Sequence, residues 1–300
     1  MYFLSVHRNL TCFPIGIVYP IIGIIMHNMV LLGAICVLVG FLGSLTGLGG
    51  ASIITPLLVL SGIPVKEAIA SAMVAIIATS SGSAASYVKA RLANVRIAMF
   101  LEMFTITGAI AGATITTFIS PVLLYFFFAA FLCTSFLRIH HIRRGYIPSE
   151  KQDRVSRWLN LQGSYYDEAA GETITYRANH ALWGGGGMFI AGIAAGMLGI
   201  GAGAFKVTVH ENILHLPPKV SSTTSNFIIG MTALAAVSVY LFSGLLNLTL
   251  MAPIAAGTTI GALFGGRVLN KINDRILQIL FLVIVVYLIV TMLYKGIISL

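Results

Sequence analysis

The sequence predicts an all-α membrane protein. It would be a polytopic helical bundle of two inverted repeats, each a broken re-entrant helical hairpin followed by three full transmembrane helices. Three observations predict it. The 300 residues are 58% hydrophobic and only 9% charged, with a mean hydropathy of +0.95, which is more apolar surface than a water-soluble globule can bury. A glycine-rich interruption of an apolar stretch occurs twice, as Gly47-Leu48-Gly49-Gly50 and as Gly199-Ile200-Gly201-Ala202-Gly203. From there the halves superimpose at an offset of 153 residues, the spacing of Pro64 from Pro217. The same offset pairs Lys66 with Lys219, Thr79 with Thr232, Tyr87 with Tyr240, Asn94 with Asn247, Gly108 with Gly261 and Gly112 with Gly265.

The elements follow in chain order. Residues 1–28 form an N-terminal extension or an extra helix: His7 and Arg8 precede an apolar run as in a signal peptide, but Pro14 and Pro20 interrupt it and no small-residue cleavage site follows. Met26 and Met29 are alternative starts. The first repeat covers 29–140. Because a spanning helix needs roughly 20 apolar residues, 65–88, 96–119 and 121–139 qualify, 29–46 is marginal and 51–61 is too short. The polar segment 141–181 is a linker. Val155, Trp158 and Leu159 give it helical spacing over 150–161, and Ser164-Tyr165-Tyr166 with Thr173-Ile174-Thr175-Tyr176 reads as a small hairpin. It carries no catalytic constellation, and its plain role is a connector that holds the halves in register. The second repeat covers 182–300, with spans at 217–242, 247–267 and 276–294 and short pieces at 183–198 and 202–214 around the glycines.

Orientation follows from the basic residues, which lie at the ends of apolar runs and account for a formal charge of +9. Lys89, Arg91 and Arg96 place loop 89–96 inside, while its uncharged mate near Ser243 to Asn247 falls outside. The turn at Ser120-Pro121 falls outside and its mate with Arg267, Lys271 and Arg275 inside. Arg143, Arg144, Lys151, Arg154 and Arg157 make the linker cytoplasmic. Three spans and a re-entrant hairpin make an odd number of crossings, so the second copy is inserted upside down. The charge distribution is a topology signal and not a nucleic-acid surface. Cys12, Cys36 and Cys133 lie in or beside apolar segments without a CxxC pair or histidines at ligand spacing, so neither a disulfide, a metal site nor a cofactor is expected.

Glycine lets a chain leave helical geometry without a Cβ clash. In a membrane such a break is tolerated only where it is buried in protein or lines a wet cavity. Each break also starts a new helix, at Ala51-Ser52 and at Ala204-Phe205, whose free N–H groups and positive dipole end favour an anion. Gly47, Gly49, Gly50, Ala51, Ser52, Gly199, Gly201, Gly203 and Ala204 are therefore candidate substrate residues, with close helix packing as the competing role of the glycines. For Gly108/Gly112 and Gly261/Gly265 packing is the plain reading. Gly199-x-Gly201 is no dinucleotide fingerprint, since no strand precedes it.

The break in Thr46-Gly47-Leu48-Gly49-Gly50, the segment Pro64-Val65-Lys66-Glu67-Ala68 leading into Ala70-Ser71, and Pro217-Pro218-Lys219-Val220 leading into Thr224-Ser225-Asn226 resemble the TauE/SafE family of sulfite and organosulfonate exporters. Residues 29–140 and 183–295 carry the resemblance. It implies outward transport of a small sulfur-containing anion across a prokaryotic cell membrane. The second break departs from a run of glycines, having Gly-Ala-Gly instead.

Ser71, and Thr224 with Ser225 and Asn226, start equivalent helices and can donate to anion oxygens, or else bond their own helix backbone. Thr79, Ser80, Ser81 and Ser83 form a polar stretch that lines a path in part. A charge inside a span is functional by default. Glu102 suits proton coupling, with snorkelling or pairing to Arg96 as the alternative. Lys206 either adds positive charge to the anion site or pairs with Glu211, and His210 on the same face suits coupling to a titrating anion such as sulfite. The expected protein is a secondary transporter, not an enzyme, working by alternating access on an anion held at the midplane between the two broken helices. An anion channel, or a carrier for another anion such as a carboxylate, is the alternative. Its partners are the lipid bilayer and the small anion. A coupling proton or ion and a homo-oligomeric state stay open, and nucleic acid is not expected.

Overall fold

The structure, a computed structural model, describes residues 29–46, 50–89, 93–139, 152–167 and 172–268, with short pieces of 286–298. The elements are α1 Met29–Thr46, α2 Ala51–Leu60, α3 Val65–Lys89, α4 Val95–Phe118, α5 Pro121–Ile139, α6 Arg154–Trp158, β1 Gln162–Asp167, β2 Glu172–Arg177, α7 Ala181–Leu198, α8 Gly203–Asn212, α9 Pro218–Phe242 and α10 Leu248–Val268. Residues 1–28, read as an extension or an extra helix, Gly47 and Gly49 of the first break, and most of the expected span 276–294 lie outside the described residues. Val65–Ala84, Val95–Phe118, Ala181–Leu198, Pro218–Phe242 and Leu248–Gly265 are long and apolar enough to cross a membrane. With 10 residues each, α2 and α8 reach only about 15 Å, half a hydrocarbon core.

Helix boundaries have local causes. The Asn94 side chain accepts from the N–H groups of Arg96 and Ile97 and so caps α4, and Asn247 accepts from Thr249 N–H at the start of α10. Pro218 stands in the first turn of α9, where its missing N–H has no helical partner to lose. Helix α7 ends in a left-handed residue, Gly199 at φ 65°. This helix corrects the sequence reading, which made it a short piece from Trp183. It begins at Ala181, has 18 residues and contains the run Gly184 to Gly187. Neighbours press into that run: a Cβ at Gly184 would lie 2.9 Å from the Leu214 side chain, and one at Gly185 2.8 Å from the Phe104 ring. Tertiary packing thus overrides the poor helix propensity of glycine.

After the second break the chain folds back on itself. A Cβ at Gly187 of α7 would meet Val209 of α8 at 2.9 Å, and Asn179 N–H donates to Leu214 O, so the start of α7 lies beside the end of α8. The long helices pair along two glycine seams. A Cβ at Gly108 or Gly112 of α4 would overlap Phe189 O or Ile193 O of α7, and one at Gly192 or Gly196 of α7 would overlap Thr105 O or Ala109 O of α4. In the same way Gly261 of α10 sits on Val37 O of α1, and Gly40 of α1 on Thr258 O of α10. These glycines are packing residues, as expected for Gly108/Gly112 and Gly261/Gly265. Between the seams, α3 and α9 touch where Ser80 Oγ donates to Asn226 O at 2.6 Å.

The turns sort to two ends of the bundle. At one end Lys66 Nζ donates to Thr117 O, and Glu67 shares a surface cavity with residues 244–248, which gathers the α2–α3, α4–α5 and α9–α10 turns. At the other end the connector docks. Its helix α6 is capped by Asp153, shorter than the sequence spacing over 150–161 predicts, and its strands pair antiparallel with Tyr165 opposite Ile174 and Ser164 opposite Thr175. Burial would raise the Asp153 carboxyl, but the hydrogen bond from Ser156, with the backbone N–H of His180 nearby, outweighs it and holds it below its usual range. Leu161, Tyr165, Tyr176 and Ala178 form one core with Ile97, Leu101, Val209, Leu214 and Val220, so the connector is packed onto α4, α8 and α9.

Candidate anion site and buried charge network

The second break lies between the two central helices. Gly201, at φ 70°, would direct a Cβ at Ile229 Cγ2 of α9 (2.9 Å) and Ile76 Cδ1 of α3 (3.4 Å). Ile76 and Ile229 are each the twelfth residue of a 25-residue helix, so the break stands at mid-height. Gly199, at φ 65°, is packed against Ile69 O. Both glycines hold left-handed backbone with no room for a side chain. Ala202 adopts the same region at φ 50°, an uncommon conformation for a residue with a Cβ. The chain then starts α8 at Gly203, whose carbonyl accepts from Ser225 Oγ at 3.4 Å. At the first break Gly50 (φ 33°) precedes α2, and a Cβ added there would lie 3.4 Å from Val39 O and 3.5 Å from Thr79 Cγ2.

Lys206, in the first turn of α8, has no exposed surface, and its Nζ donates to Thr232 Oγ1 of α9 at 2.7 Å. Thr232 in turn lies 3.1 Å from Glu102 Oε1 of α4, and Thr105 Oγ1 lies 2.9 Å from Glu102 Oε2. Glu102 is 2% exposed. Three helices thus supply one buried chain, Lys206–Thr232–Glu102–Thr105. Two alternatives from the sequence bear on this geometry. Arg96 does not pair with Glu102 but donates to Asn160 O in the connector, and the Lys206 ammonium is turned toward α9 and Glu102. His210 is buried one turn further along α8, with Nδ1 3.2 Å from Ser221 O, outside this chain of bonds.

The other candidates divide. Gly201, Gly203, Lys206 and Ser225 come together at the second break. Thr224 is buried, but its hydroxyl accepts from Asn94 N–H at the connector end, and Asn226 offers its backbone carbonyl to Ser80. Of the polar stretch, Thr79 and Ser83 bond their own helix backbone. In the first half Ser52 and Ser71 are buried, and the Ser71 hydroxyl has no hydrogen-bond partner among the described residues. The sequence reading missed Thr55, a buried hydroxyl on α2 that is likewise without a partner among the described residues. It also missed Thr105, and Thr232 beyond its place in the repeat. One signal was available for two of these: at the offset of 153, Thr55 falls on Thr208 and Thr232 on Thr79. Among the described residues no group of three or more His, Cys, Asp or Glu side chains is placed to hold a metal ion.

Among the described residues, five helices long and apolar enough to cross a membrane, with a charge network buried between α4, α8 and α9, define a multi-pass α-helical membrane protein. Comparison with known proteins narrows this: the chain belongs to the sulfite exporter TauE/SafE family, whose model matches residues 32–292, and it is therefore a membrane transporter. It is similar to the probable membrane transporter protein YunE of Bacillus subtilis (strain 168), 23% identical over 280 residues that cover 91% of this chain and 100% of that protein. It is also similar to the probable membrane transporter protein YdhB of the same organism, 25% identical over 256 residues that cover 85% of this chain and 93% of that one. No solved structure is a significant match.

Proposed function

We propose that the protein exports a small sulfur-containing anion, sulfite or a short organosulfonate, across the cell membrane by alternating access, binding it where the two broken helices approach the centre of the bundle. The observation that carries this reading is a helix break at mid-height between α3 and α9, followed within one turn by a fully buried lysine. A new helix N-terminus and an ammonium group both attract an anion, and a dry setting strengthens the attraction. The sulfur-containing substrate and the outward direction come from the family description.

The architecture belongs to the proposal: two inverted repeats, 29–140 and 182–300, joined by a cytoplasmic linker, each opening with a re-entrant hairpin. Equivalent turns at opposite ends of the bundle support it, α2–α3 beside the α9–α10 turn and α8–α9 beside the connector. The exchange of partners supports it too, because α4 packs on α7 as α10 packs on α1.

Thermal stabilisation of the purified protein by sulfite, methanesulfonate, sulfate, acetate and phosphate tests the reading. The expected result is a shift with sulfite or the sulfonate that disappears in Gly201→Leu, a variant that fills the break. A shift with acetate or phosphate alone reassigns the substrate class, and a shift with none of the anions overturns the anion site.

A further inference from the structure

Lys206 is a costly residue in its position. It is a cation at the positive end of a helix, fully buried in a membrane protein. An ammonium group has three N–H donors, and among the described residues its acceptor is one neutral hydroxyl, Thr232 Oγ1. Two donors are left over. Its charge is balanced by Glu102, but through Thr232 and not by direct contact. The Thr232 hydroxyl itself has a second acceptor, Ile228 O at 2.9 Å, so its single proton can turn from the carboxylate to the helix backbone.

We propose that Glu102 is the internal counter-ion that a substrate anion replaces on Lys206, so that one proton taken up by Glu102 accompanies each monovalent anion. The inference rests on the anion-transport reading and adds the coupling to it. Charge balance forces the stoichiometry. The empty site holds Lys206 positive and Glu102 negative and is neutral. Anion without proton would leave one net negative charge in a low-dielectric interior, and proton without anion one net positive charge, each costly to bury. Taking up both restores neutrality: the proton sits on a Glu102 carboxyl oxygen, the Thr232 hydroxyl turns to Ile228 O, and the free Lys206 donors meet the anion. Transport of a monovalent anion is then electroneutral. An anion formed inside leaves until its own gradient balances the inward proton gradient.

The elements packed around Glu102 carry other ionisable groups: His210 and Glu211 on α8, Lys219 at the exposed start of α9 and Tyr240 near its end, Arg96 on its own helix, and Tyr165 and Tyr176 from the connector. Helix α7 has none. Of the ionisable groups among the described residues only Lys206 shares the Thr232 hydroxyl with Glu102, His210 being turned to Ser221 O and Arg96 to Asn160 O.

The test measures the affinity of methanesulfonate for the full chain in lipid nanodiscs from about pH 5 to 9, a range over which a sulfonate stays a monoanion and only the protein titrates. The wild type should weaken about tenfold per pH unit on the alkaline side, because each anion bound brings a proton. Glu102→Gln, which keeps both threonine contacts, should bind with no pH slope. Thr232→Val should lose the wild-type profile and Thr232→Ser restore it, a rescue that a purely structural role in packing would not produce. A flat wild-type profile, or a slope that persists in Glu102→Gln, overturns the coupling and leaves the anion site standing. Failure of methanesulfonate, sulfite, acetate and phosphate alike to bind at any pH removes the anion site and the coupling with it.

Discussion

Asn94 does the work of three residues. Its Oδ1 caps α4, its Nδ2 donates to Gln162 O and to Tyr176 Oη, and its backbone N–H donates to Thr224 Oγ1 of α9. Loss of a cap costs about 0.5–2 kcal/mol, so Asn94→Ala should lower the melting temperature and open the connector to limited proteolysis. Asn94→Asp keeps the cap acceptor and loses the amide donors, so it should melt near the wild type yet still be clipped. The repeat pairs Asn94 with Asn247, and both cap the helix that follows, so this position was legible as a matched pair. Its tie to the connector was not, because Gln162 and Tyr176 are 68 and 82 residues away. The Thr232–Glu102 contact was hidden for the same reason, at a separation of 130 residues. Periodicity reports neighbours on one helix and not partners across three.

Among the elements, the glycines separate into two kinds that sequence alone does not distinguish. Gly196 has no space for a Cβ against Ala109 O, whereas Gly186, ten residues earlier on the same helix, has nothing within 4 Å. Gly196→Leu should therefore force α4 and α7 apart and abolish recovery of monodisperse protein. Gly186→Ala should be tolerated and, by the helix propensity difference, add up to about 1 kcal/mol. Thermal melts with size-exclusion profiles of the two variants check this. The seam glycines of α4 and α10 were readable from their four-residue spacing. The extent of α7 was not, since four consecutive glycines argue against a helix until Leu214, Phe104 and Val209 are seen filling the space above them.

For the whole molecule, the two sets of turns make a sidedness test. In a variant without its native cysteines, single cysteines at Ser120 and Gly244 should react with an impermeant maleimide added outside intact cells. One at Glu172, exposed on β2, should react only after permeabilisation. Glu172 labelled from outside, or Ser120 and Gly244 on different sides, would sink the topology. Basic residues made the two ends legible in sequence, because loops rich in Lys and Arg resist translocation. The packed connector was less so: its hairpin was visible, but not that Leu161, Tyr165 and Tyr176 would share a core with three membrane helices.

The glycine seams have a consequence for how the chain can be divided. Each joins a helix from before the connector to one from after it, α4 to α7 and α1 to α10. Neither half of the polypeptide owns a complete seam. A fragment ending near residue 140 would present bare backbone and small side chains to lipid along two helices, with the matching surfaces on the missing piece. The halves are therefore interlocked rather than sequential, and a gene split inside the connector would give function only when both fragments are made in the same membrane. Any group that moves as a rigid body must likewise be drawn from both halves, because among the described helices these close glycine joints cross between them.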